Sequence, residues 1–429
     1  MTMSRSISKV SWPRICILSA AAALALSACG ASGPASNGGG EGVDADATID
    51  EYREAFADVD PITIYAQTGG PQGSRLSLLL EEYFGAVDEW SDGKIQFEVE
   101  FSNAVAAPPD ADDAVQDGRL DLAPIFATYD PDSYPALNSL LDLTFTADQS
   151  PLVGPLQLSG WMTEVSASDP SIVDEYEANG LYPLVPIYHA GLDALYCSEP
   201  RTSLDDLDGA SSRAATRVQV DQLAALGMES VSLDFTEAFE GLQRGAVDCI
   251  NAGPLSATVS GILEVAPDAT IDPEAGFSVG SGSIAVNRDV WDSLPLVAQQ
   301  LLHDRLDVFF QYQLDGAFGS YAEMVETITA AGGGTQPFES DAREALLAVN
   351  EDLLDEARDN PDHEDPSAFV DTVLDSSDRW YDAVTKDLEY DVDLSPEEFA
   401  EWYADKGPDT WAEFADLLMR DALADQRPS

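Results

Sequence analysis

The run Ile62-Thr-Ile-Tyr-Ala-Gln67 is apolar enough to be a buried strand, and Gly69-Gly70-Pro71 stops it. Leu76, Leu79, Leu80, Tyr83, Phe84 and Val87 then recur at helical spacing as far as Trp90, predicting an amphipathic helix. Asp92-Gly93 turns the chain into a second strand over 95–101. A short helix over 110–117 ends at Gly118, ahead of a third strand over 120–126. The order βαβαβ predicts an open parallel sheet, whose ligand crevice lies at the carboxyl ends of its strands.

The order then returns: a strand over 212–216, a helix through Val220, Leu223 and Ala224 to Gly227, a strand over 231–233, a helix over 236–244 and a strand over 247–251. Both copies close on Gly-x-x-Asp, as Gly118-Arg-Leu-Asp121 and Gly245-Ala-Val-Asp248. Repetition in the same order predicts two similar lobes with a ligand cleft between them. A long helical pattern over 295–331 ends at Gly332-Gly333-Gly334, and about 339–429 is acidic and helical by pattern.

Composition changes this picture in two ways. With 429 residues, 45% of them apolar, 31 Gly and 25 Pro, the chain is globular rather than disordered or fibrous, and too long for one core. Its 79 Asp and Glu against 20 Lys and Arg give a formal charge of −59, which disfavours any nucleic-acid partner. Only Lys9, Lys94, Lys386 and Lys406 are lysines. Such a surface repels itself unless salt screens it, so two readings stand: adaptation to a high-salt habitat, or a solubility device on an exported protein.

Residues 1–28 read as an address. Arg5, Lys9 and Arg14 precede an apolar run over 15–26, too short to cross a bilayer of about 30 Å hydrocarbon. Leu26-Ser27-Ala28-Cys29 resembles the bacterial lipobox, which implies cleavage before Cys29 and a lipid anchor on that residue at the outer face of the cell membrane. Cleavage takes away three cations and moves the charge from −59 to −62. Residues 29–58 are expected to be a flexible tether. No later apolar stretch is long enough to span a membrane.

Three stretches carry a family resemblance: Leu204-Asp-Asp-Leu-Asp-Gly-Ala-Ser-Ser-Arg213, Leu226-Gly227, and Phe235-Thr-Glu-Ala-Phe-Glu-Gly-Leu-Gln-Arg-Gly-Ala-Val-Asp248. They resemble the solute-binding proteins of TRAP (tripartite ATP-independent periplasmic) transporters, as do Asp92-Gly-Lys-Ile95, Val286-Asn287 and Trp291-Asp-Ser-Leu-Pro295. The resemblance covers roughly residues 60–340. It implies an α/β, two-lobed periplasmic-binding-protein-like fold of type II character, each lobe a mostly parallel sheet flanked by helices, with a long hinge-spanning helix. The expected division is 59–188 with 277–318 for the first lobe, 189–276 with 319–390 for the second, and an acidic helical extension over 391–429. The function it implies is capture of a small organic acid and its delivery to membrane permease subunits, with neither cofactor nor metal.

The resemblance assigns Arg213 to the ligand carboxylate, a role suited to a guanidinium's two parallel donors. A second family arginine, on the strand crossing into the second lobe, is replaced by Asp193. Asp193 suits a ligand hydroxyl or ammonium, or is only a turn acid. The family's asparagine after Val-Asp matches Asn251 with a one-residue slip, and Phe235 matches a ligand-stacking aromatic. By position, Gln67, Thr68 and Phe126 at strand ends are also pocket candidates. His189, beside the crossing, is either a contact or a hydrogen-bonded hinge residue. Strand adjacency predicts a disulfide between Cys197 and Cys249, with two buried thiols as the alternative.

Three histidines (His189, His303, His363) and no nucleophile, metal or phosphate-loop motif argue against an enzyme. An exported carboxylate-based glycosidase stays as the catalytic alternative. The acidic tail motivates a third, a sensory or structural lipoprotein that borrows the binding fold.

Overall fold

A computed structural model describes residues 40–233, 235–390 and 394–429. The signal segment, Cys29 and the first part of the expected tether lie outside these residues. The described strands are Ile62–Gln67 (β1), Ile95–Glu100 (β2), Leu122–Ile125 (β3), Leu181–His189 (β4), Ala194–Cys197 (β5), Ser211–Arg213 (β6), Glu229–Val231 (β7), Cys249–Ala252 (β8), Asp268–Thr270 (β9), Ser281–Asn287 (β10) and Gly334–Gln336 (β11). They form two sheets, ordered β2-β1-β3-β10-β4 and β11-β9-β5-β8-β6-β7.

Each sheet is parallel but for one strand, and that strand is the one that follows an extended crossing from the other sheet. β10, arriving from β9, runs antiparallel to β3 and β4. β5, arriving from β4, runs antiparallel to β8 and β9. The remaining pairs, β1 with β2 and β3, β6 with β7 and β8, and β11 with β9, are parallel. Residues 190–193 and 271–280 are thus the two extended crossings. The helix Leu306–Ala331 is the third connection: it packs on the first-lobe helix Arg75–Trp90 and on Pro254–Val259 and β11 of the second.

The repeated Gly-x-x-Asp does the same work twice. Gly118 (φ 76°) and Gly245 (φ 65°) take the left-handed turn that leads out of a short helix, a conformation without penalty only for glycine. Three residues on, Asp121 accepts from the backbone N–H of Tyr65 at 2.8 Å, and Asp248 from that of Ser211 at 2.8 Å. Each carboxylate ties the start of one strand to its parallel neighbour. Cys197 and Cys249 face each other on β5 and β8, bonded, with Cα atoms 4.1 Å apart. Theirs is a non-hydrogen-bonded pair, since Ser198 N–H donates to Asp248 O one step away, and antiparallel backbones come closest at such pairs.

Several expectations are corrected. The strand expected over 212–216 ends at Arg213, because the Thr216 hydroxyl accepts from Gln219 N–H at 3.1 Å and caps the helix Arg217–Ala225. The strand expected over 231–233 forms at Glu229–Val231. The helix expected over 236–244 opens as a 3-10 turn, Phe235–Glu237, before Ala238–Gln243. The pattern over 295–331 breaks at Arg305 into Leu296–Asp304 and Leu306–Ala331.

Residues 48–58 are not tether: Thr48 forms a capping box with Glu51, and the helix Ile49–Phe56 buries Tyr52 and Phe56. Nor are the described residues 394–429 an outlying extension. Phe399, Trp411 and Phe414 are buried, with Trp411 stacked on Phe318 of the long helix at 4.2 Å. Arg427 then ties the C-terminal segment to the first described residues of the body, reaching Asp304 at 2.9 Å and Val43 O at 3.1 Å. No described helix is long and apolar enough to cross a membrane.

Candidate functional site

β6 presents Arg213 at its carboxyl end, where the side chain is only 7% exposed. Its Nε donates to Leu233 O at 2.9 Å, and the guanidinium carbon lies 5.2 Å from the centroid of the Phe235 ring. Phe235, half-buried, is therefore a platform under the guanidinium. One edge of the fork is used and the Nη atoms bond to no described residue.

The rest of the molecule makes that arrangement exceptional. Every other lysine and arginine of the described residues, except Lys94, lies within 4.0 Å of a carboxylate. Lys94 donates instead to Val59 O at 2.7 Å. In a chain with 79 acids, Arg213 is the buried cation with no described carboxylate beside it.

Gln67 and Thr68 are both hydrogen-bonded within the first lobe. The Gln67 carbonyl accepts from Val105 and Ala106 N–H at 3.3 and 3.1 Å, while its amide donates to Ala106 O at 3.0 Å. Thr68 bonds Ser77 Oγ at 2.8 Å and Gly70 O at 3.2 Å. Both are fully buried and hold the loops at the end of β1. Phe126, half-buried at the end of β3, packs edge-on to Tyr129 at 6.3 Å.

His189 is fully hydrogen-bonded beside the crossing at 190–193. Gly191 N–H donates to its Nδ1 at 3.0 Å, so Nε2 carries the proton toward Pro155 O at 3.0 Å and Ser159 Oγ at 2.8 Å. Burial pushes its pKa down to about 4.

Asp193, half-buried, accepts from Gln219 Nε2 at 2.8 Å. Burial drives its carboxyl up to about 7, against the Gln219 bond and the Arg213 charge. Asn251 is fully buried with neither amide atom bonded to a described residue. Opposite Leu195 in the β5–β8 ladder, it shares a face with Asp193. Arg213 pairs with Ile250 and so takes the other face.

Between the lobes opens a cavity of about 450 Å³. Thr128 and Asp142 line it from the first lobe, Thr216 and Arg217 from the second, Glu356 from the last turn of the helix Ser340–Ala357 and Asp362 from just beyond it. Arg217 Nη2 spans the lobes to Asp142 Oδ2 at 3.1 Å. Burial nevertheless raises Asp142 to about 6. Sequence reasoning missed Asp142 and the 353–362 segment, which only packing brings here. The signal for Arg217 was its place directly after Thr216, a good helix cap three residues past Arg213. Among the described residues no group of three His, Cys, Asp or Glu is placed to hold a metal ion.

Comparison with known proteins adds the following. The family described as bacterial extracellular solute-binding protein, family 7, matches residues 67–360. The ectoine-binding periplasmic protein TeaA of Halomonas elongata is 27% identical over 157 residues, which span 36% of this chain and 45% of that relative. The periplasmic ectoine-binding protein of the TeaABC TRAP transporter from the same organism has a solved structure with TM-score 0.62, at 19% identity over 75% of this chain and all of that one. A marine-metagenome TRAP solute-binding protein specific for aromatic acids, in complex with 3-hydroxybenzoate, gives TM-score 0.64 at 19% identity over 75% and 99%. One from Roseobacter denitrificans with bound β-D-glucuronate gives 0.58 at 18% over 72% and 98%. At these identities the structural likeness is one of fold.

Proposed function

The chain belongs to family 7 of the bacterial extracellular solute-binding proteins, the solute receptors of TRAP transporters, and we propose that it captures a small organic acid between its lobes and hands it to membrane permease subunits. Arg213 takes the ligand carboxylate, and hinge closure about 190–193 and 271–280 removes the pair from water, which strengthens it. The observation that carries this reading is a buried, braced guanidinium without a described carboxylate in a chain crowded with them. Keeping such a charge buried and uncompensated costs stability unless a ligand anion arrives. Binding occurs without turnover.

Relatives with solved structures bind acids of several kinds: glucuronate, 3-hydroxybenzoate and pyroglutamate among them. Calorimetry of the mature chain against such acids and ectoine identifies a binder, and Arg213→Ala should then lose about 2–5 kcal/mol of affinity. Unchanged affinity would remove Arg213 from the site. The Leu26-Ser27-Ala28-Cys29 box supports lipid attachment at Cys29, and a Cys29→Ser chain that stays in the membrane fraction would count against it.

A further inference from the structure

We infer that the segment joining the helices Ser340–Ala357 and Pro366–Asp382 is a strap across the two lobes, which restrains how far the cleft between them opens. The first helix belongs to the second lobe. Its Ala342 and Leu346 are buried with Leu207, Leu223 and Leu226. Asn350 accepts from Gln222 Nε2 at 2.8 Å and donates to Gly276 O at 3.0 Å. The second helix is fastened to the first lobe. Gln157 Nε2 donates to Ser377 Oγ at 2.8 Å, and Glu164 Oε2 accepts from Ser376 Oγ and from the Trp380 indole, each at 2.7 Å.

The change of lobe takes place over a short stretch. Leu353 shares one apolar cluster with Val218 of the second lobe and Phe145 of the first. Residues 354–357 finish the helix, after which Arg358 reaches Asp371 at 2.7 Å and Asn360 Nδ2 donates to Ser139 Oγ at 2.7 Å, in the first-lobe helix Pro135–Leu141. Helical residues advance about 1.5 Å each against about 3.3 Å when extended, so the strap lengthens only by unwinding the helix end. The family match ends at residue 360, so the helix that fastens the strap to the first lobe lies beyond it. Farther on, Glu397 accepts from Thr335 Oγ1 at 2.6 Å and ties the same C-terminal region back to β11 of the second lobe.

The strap acts because it lies off the hinge. Asn350 touches the crossing at Gly276, and Ala357 stands two helical turns, about 10 Å, farther along the axis. A rotation of about 15° separates points at that radius by about 3 Å, enough to break a hydrogen bond. Arg217 and Asp142 pair across the lobes at 3.1 Å in the cavity that Glu356, Asn360 and Asp362 also line. Opening there breaks an ion pair, a hydrogen bond and an apolar contact together. A cleft restrained in this way loses less freedom when a ligand closes it.

The test is the interlobe distance distribution of the ligand-free mature chain carrying Cys29→Ser, whose Cys197 and Cys249 are bonded to each other. Spin labels are placed by Asp113→Cys and Ala224→Cys, exposed positions on the first and second lobes, and read by double electron–electron resonance. The parent should give one narrow distribution. Gly-Gly-Ser-Gly-Gly inserted directly after Ala357 supplies up to about 17 Å of slack and should broaden the distribution, moving its mean outward by about 3 Å or more. Asn360→Ala combined with Arg217→Gln removes two ties without altering the backbone, should move the mean the same way, and decides the matter if the insertion does not fold. A parent that already spans the distances of the slackened chain, or variants whose distribution matches the parent's, overturns the inference. Since no ligand enters the measurement, either result leaves the carboxylate role of Arg213 to its own test.

Discussion

At the scale of single residues, a buried polar group is explained by what its atoms touch. His189 and Arg213 are nearly equally buried, but the imidazole is satisfied at both nitrogens and the guanidinium at one edge only. The first has no bonding capacity left over, and the second keeps its Nη donors unbonded among the described residues. The satisfied imidazole has a pH signature. Its folded pKa of about 4 lies below the ordinary value near 6.5, so the unfolded chain takes up a proton that the folded one refuses. The stabilisation is complete above pH 6.5 and is lost as pH falls toward 4, an amount on the order of 3 kcal/mol. Asp193, raised to about 7, and Asp142, raised to about 6, act in the opposite direction, since their charged forms are the costly ones as pH rises from about 4. Urea unfolding of His189→Gln between pH 6.5 and 4 isolates the imidazole: the variant should lose less stability on acidification than the parent chain, and parallel profiles would contradict the neutral-hinge assignment.

Elements lock together here through small residues set against large ones. The helix Val153–Ser168 meets Pro366–Asp382 where Gly160 lies under Trp380, and a Cβ on Gly160 would fall 2.1 Å from the indole. The indole cannot swing away freely, because its N–H donates to Glu164 Oε2 at 2.7 Å. Gly160→Ala should therefore cost about 3 kcal/mol, at the upper end of overpacking. Combining it with Trp380→Phe should cost less than the sum of the two single changes, as expected for groups in contact. Additive losses in denaturant unfolding would mean that the two helices tolerate the methyl. The contact also shows what the acidic C-terminal helices do. Their charged faces meet solvent while Trp380, Phe399, Trp411 and Phe414 complete the body, so the feature that suggested a partner-addressing tail is used in packing.

Across the whole molecule, charge governs how the fold responds to its solvent. A net −59, or −62 after loss of the first 28 residues, is spread over a body whose few cations are nearly all paired already. Screening shortens from a Debye length of about 10 Å at 0.1 M to about 3 Å at 1 M, which relieves repulsion in the folded state more than in the expanded chain. The unfolding midpoint of the mature protein should rise steadily with NaCl up to the molar range. A midpoint that stays level would mean that the charge serves solubility alone.

The sequence by itself determined the local order of this protein. The periodicity of Leu76 to Val87 produced the helix Arg75–Trp90, and Gly118 and Gly245 marked the ends of short helices because few other residues accept their backbone angles. The two βαβαβ units and the motif around Arg213 were legible for the same reason: strands, turns and caps depend on neighbours in the chain. Boundaries near 212–237 slipped because β6 and β7 have three residues each, too few for a period. Only the tertiary structure decided which candidates remain available to a ligand. Whether Gln67 faces a pocket or its own loop, whether Phe235 stacks on a ligand or on Arg213, and whether 394–429 hangs free or fills the core depend on contacts between distant segments. Burial and hydrogen-bond satisfaction are properties of such contacts, and no local pattern encodes them.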